Sequence, residues 1–109
     1  MYTKETTIQK EKAMTTSLEN LQALTTEADV KKAFACHGTL IHYGTYLIAT
    51  RGCWNYDTHR LDYTAALFDI LTHTGRRETT TVAFAADSDD TFADTGHAIE
   101  WAIGMIHAR

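Results

Sequence analysis

The chain has no proline, and only two cysteines and six glycines among its 109 residues. Collagen-like and low-complexity architectures depend on glycine and proline, so this composition excludes them. Two cysteines, Cys36 and Cys53, are too few for a disulfide scaffold, and both thiols are expected to be reduced. Apolar runs last only a few residues, against the ~20 that a membrane-spanning helix needs. The amino-terminal stretch MYTKETTIQKEKAM lacks the apolar core of a signal peptide, so the expected address is the cytoplasm, away from membranes. Positive charge is scarce too: ten Lys and Arg face fourteen Asp and Glu, a net charge of −4. That balance argues against a nucleic-acid backbone as a direct partner.

What remains describes one globular domain. Hydrophobic residues make up 44% and charged residues 22%, a mixture that can build a core. Residues 1–14 carry five charges and little apolar surface, and are expected to form a flexible tail ahead of a single domain over 15–109. Thr16–Glu19 reads as a capping box opening a short helix, and Thr26–Asp29 repeats the pattern before Val30, Ala33 and Phe34. Gly38 would end that second helix as its C-cap. Thr39–Tyr43 and Thr45–Thr50 read as strands on either side of Gly44, with a third strand over Cys53–Tyr56. Leu61, Ala65, Phe68 and Leu71 recur at helical spacing and predict a helix from Asp57 or Thr58 to Gly75. Thr79–Ala86 is the clearest strand, Asp87–Asp90 is a turn by composition, and Phe92, Ile99, Ile103 and Ile106 mark a final helix. The expected architecture is α+β: a small antiparallel sheet of three or four strands with amphipathic helices packed on one face.

Sites are harder to place. Cys36 and His42 are separated by five residues, as are Cys53 and His59, and Cys₂His₂ is a legitimate zinc set. The familiar fingers pair Cys with Cys and His with His, however, so the expectation is no metal and no cofactor. A Cys53 nucleophile beside His37, His42 or His59, with Asp57 or Asp62, would be chemically sensible. Yet the chain carries no G-x-S-x-G, P-loop, dinucleotide fingerprint or H-E-x-x-H motif, and a non-enzymatic protein is the favoured expectation.

Charge patterning carries more information. Six acids and no Lys or Arg lie between Glu78 and Ala108. Asp87, Asp89, Asp90 and Asp94 form the densest part of that stretch, and Trp54 and Tyr56 are the aromatic residues best suited to a surface anchor. These six residues are the candidate partner-binding set, facing another protein with a basic surface; a homodimer is also compatible. Short, acidic, motif-free and rich in threonine, the chain resembles small phage- or plasmid-encoded inhibitors of host nucleic-acid machinery, anti-CRISPR proteins among them. The resemblance implies an acidic surface that occupies a basic site on its target. The alternatives are a small metal- or ligand-binding domain using Cys and His, or a small hydrolase.

Overall fold

In the computed structural model, residues 21–109 are described. The expected tail over 1–14 and the Thr16–Glu19 capping box lie outside them. A short 3₁₀ turn, Leu21–Ala23, leads into helix α1, Glu27–Ala33. Thr26 caps α1 as expected, its hydroxyl accepting the Asp29 amide at 3.2 Å. Four strands follow: β1 (Thr39–Tyr43), β2 (Tyr46–Asn55), β3 (Arg60–Thr72) and β4 (Thr81–Asp87). They form one antiparallel meander in the order β1-β2-β3-β4. Gly44 takes a positive φ of 63° in the β1–β2 turn, a conformation that glycine adopts without steric cost. Helix α2, Thr95–His107, closes the domain.

The α+β class and the four-stranded antiparallel sheet agree with the sequence reading; several details do not. Arg60–Thr72 is a strand, not a helix. Its centre, Ala65–Phe68, is buried on both sides, and so is the paired stretch Leu47–Thr50. Strands covered on both faces lose the alternation that advertises a strand, leaving a continuous apolar run in which helical spacing arises by coincidence. Cys53–Asn55 completes β2, and Tyr56 belongs to the turn beyond it.

The helices also divide between the two faces. Val30, in the middle of α1, and Phe34, just beyond its end, pack with Leu47, Ala49, Phe68 and Val82 on one side. Ala102, Ile99 and Ile103 of α2 pack with Ile48 and Leu67 on the other.

Backbone hydrogen bonds fix α1 at one end of the sheet. The Glu27 amide donates to the Thr80 carbonyl at 2.9 Å, Ala28 donates to Arg77 at 3.0 Å, and Val82 donates to Thr25 at 2.9 Å. The start of α1 is thereby stitched to the β3–β4 connection. No helix among the described residues is long and apolar enough to cross a membrane.

Candidate phosphate-binding cleft

The stitching opens a cleft of about 900 Å³ between α1, β1 and the β3–β4 connection. Its base is Glu27, a carboxylate with only 7% of its side chain exposed. Burying a lone carboxylate is costly, and here two partners offset the cost. His42 on β1 lies 3.0 Å away through Nε2, and the Nε of Arg77 lies 3.3 Å away. His73 stands beside His42, with ring centroids 5.3 Å apart at 61°. Lys31 and Lys32 of α1 and Arg76 of the connection complete the wall. Among the described residues, neither lysine has a carboxylate within ion-pair reach, and Arg76 has only an exposed, loose partner in Glu78 at 3.8 Å.

The connecting loop is held in shape by its threonines. The Thr74 amide donates to the Thr80 hydroxyl at 3.2 Å, and the Arg76 amide donates to the Thr74 hydroxyl at 3.2 Å. Gly75 takes a φ of 85° between them. The Thr79 and Thr80 amides donate to the Arg76 carbonyl at 3.2 and 2.9 Å, which fixes the backbone that carries the arginines. Arg77 spends its Nε on Glu27, and among the described residues its terminal nitrogens have no ion-pair partner, which leaves a fork geometry suited to phosphate oxygens.

The residues singled out from the sequence fall elsewhere. Trp54 and Tyr56 meet edge to face at the β2–β3 hairpin, centroids 6.4 Å apart, with 49% and 75% of their surfaces exposed. Asp87 and Asp89 line a small pocket of about 160 Å³ together with Arg51 and Cys53. Asp90 is exposed in the loop that follows. Asp94 caps α2, accepting the His97 amide at 2.8 Å, and this hydrogen bond is the main reason its carboxyl is held below the ordinary value. Cys36 is exposed after α1, Cys53 is half-buried on β2, and His59 sits at the hairpin with φ 55°. Only His42 of the four metal candidates enters the cleft. No group of three or more His, Cys, Asp or Glu among the described residues could hold a metal ion.

The sequence reading did not single out Glu27, His73, Lys31, Lys32, Arg76 or Arg77. The usable signal was two dibasic pairs. Their convergence depends on the α1 contact with the β3–β4 connection, which strand misassignment concealed.

Fold and cleft together define a small α+β domain with a cleft lined by two dibasic pairs at one end of its sheet. The chain belongs to the nucleotide modification associated domain 4 family, whose model matches residues 21–106. No curated protein and no solved structure matches it.

Proposed function

We propose that the domain binds a nucleotide, free or at the end of a nucleic acid, by its phosphate in the Lys31/Lys32/Arg76/Arg77 cleft, in the service of nucleotide modification. The observation that carries the reading is the convergence of two dibasic pairs around a carboxylate whose charge is already matched. The lysines are left to attract an anion, and a cleft of about 900 Å³ is in the size range of small-molecule sites. The family's description supplies the nucleotide. An overall charge of −4 does not oppose this, because a ligand responds first to the field at the cleft.

Calorimetric titration of nucleoside mono-, di- and triphosphates, and of a short 5′-phosphorylated oligonucleotide, tests the reading. The Lys31→Ala/Lys32→Ala variant should weaken binding by on the order of tenfold or more, equivalent to about 1.4 kcal/mol, with an unchanged melting temperature. Absence of binding to every probe by folded protein at low salt would reject it.

A second reading is favoured by the exposed Trp54–Tyr56 pair. Large, rigid aromatics of this kind anchor protein interfaces. With Asp89 and Asp90, they support docking onto a protein with a basic surface, the arrangement an anti-CRISPR-like inhibitor would use in the cytoplasm. Retention of a specific host protein, lost in Trp54→Ala/Tyr56→Ala, is the expected outcome on that reading.

A further inference from the structure

Resting on the nucleotide reading, we infer that the phosphate this cleft selects is a terminal phosphomonoester, not an internal diester, and that His42 and His73 make the selection. Charges from two elements face the two rings. Glu27, Lys31 and Lys32 come from α1, and Arg76, Arg77 and Glu78 from the β3–β4 connection. Glu27 is matched by Arg77 at 3.3 Å, and Glu78 lies opposite Arg76. Among the described residues the two lysines are therefore in excess, which suits a ligand with two negative charges better than one.

Hydrogen bonding sharpens the choice. A carboxylate can only accept, so the 3.0 Å contact to Glu27 makes His42 Nε2 the donor. In the neutral ring, Nδ1 is then a lone-pair acceptor. An oxygen of a phosphate diester brings no proton to that nitrogen and is repelled by it. A terminal phosphate, with a second ionisation near pH 6, exchanges a proton with imidazole readily. The complex therefore carries a proton shared between ring and phosphate, and the ring becomes a second donor.

His73, with its ring centroid 5.3 Å away, brings a second imidazole to the same wall of the cleft. Glu27 is a positioning residue here, fixing His42 and Arg77 without touching the ligand.

The test compares a nucleoside 5′-monophosphate with the corresponding 3′,5′-cyclic monophosphate, a diester of one charge. Titrations in two buffers of different ionisation enthalpy report proton uptake. The monoester should bind on the order of tenfold more tightly at pH 7, the worth of one charge-assisted hydrogen bond. Uptake should grow between pH 6 and pH 8, as the free partners lose protons that the complex retains. His73→Asn, on an exposed loop that leaves the core untouched, should abolish most of the preference and the uptake; His42→Asn should do the same. Equal affinity for monoester and cyclic diester, or binding without proton uptake, overturns the inference and leaves the nucleotide reading standing. Failure of the folded protein to bind either ligand overturns both.

Discussion

Gly38 illustrates how one residue can mislead at the level of sequence and matter in the structure. It reads as a helix C-cap, but α1 ends at Ala33, Phe34 is its cap, and His37 takes the left-handed conformation with φ 52°. Gly38 serves close approach: a Cβ there would run into the Phe34 carbonyl oxygen and lie 3.0 Å from that of Thr50. Backbone cannot yield as a flexible side chain does, so Gly38→Ala should cost roughly 3 kcal/mol, at the upper end for overpacking. In a domain of this size, that lowers Tm by more than about 10 °C, readable by thermal denaturation. Asp94 gives a pH signature instead. Its carboxyl is held below the ordinary value, chiefly by the His97 amide, so its cap stabilises α2 above the unfolded carboxylate pKa and is lost as pH falls through the lower folded value. Asp94→Ala should lower Tm at pH 7, while Asp94→Asn, which keeps an acceptor but not the charge, should recover only part of the loss. The deficit of Asp94→Ala against the parent should shrink below about pH 4, the ordinary carboxylate range; a deficit constant down to pH 2 would mean the cap acts without its charge.

Among the elements, legibility followed exposure to solvent. Thr26, β1, the Gly44 turn, β4 and α2 were readable because each carries a cap, a glycine or a half-buried alternation. β3 was not, because burial on both faces removes the period that distinguishes strand from helix. Leucine and alanine, which favour helices in isolation, occupy a strand there because pairing with β2 and β4 outweighs propensity. The two assignments differ in a way that substitution can read. Leu67 and Phe68 are both fully buried, one under α2 and the other under α1, while Leu71 is 64% exposed. Leu67→Ala should cost about 2–5 kcal/mol and Phe68→Ala about 3–5 kcal/mol. Leu71→Ala should stay within about 0.5 kcal/mol. A helix would have placed Leu71 on the Phe68 stripe, so substantial destabilisation by Leu71→Ala in urea titrations would contradict the strand. The cleft was hidden by the same error. A helix over 57–75 carries His73 away from His42, and only the hairpin pairing returns them to one end of the sheet.

At the scale of the described domain, two dibasic pairs and two loop carboxylates lie at opposite ends of β4. Lys31, Lys32, Arg76 and Arg77 gather where the β3–β4 connection meets α1, while Asp89 and Asp90 follow the far end of β4. β4 has seven residues, and at about 3.4 Å per residue it spans roughly 20 Å. The Debye length is about 8 Å at physiological ionic strength and about 30 Å at 0.01 M. The acidic loop is therefore screened from the cleft in the first condition and felt by it in the second. Reversing the exposed Asp89 and Asp90 to Lys should leave nucleotide affinity unchanged near physiological salt. At low salt it should tighten binding, because the loop then attracts the anion where it formerly repelled it. Trp54→Ala/Tyr56→Ala adds no charge and should leave nucleotide affinity alone at both ionic strengths, since the hairpin lies beyond the far end of β4. A change at physiological salt in either variant would mean that the loop or the hairpin reaches the ligand directly. The phosphate site would then have to extend along the sheet and could not be confined to the cleft at its end.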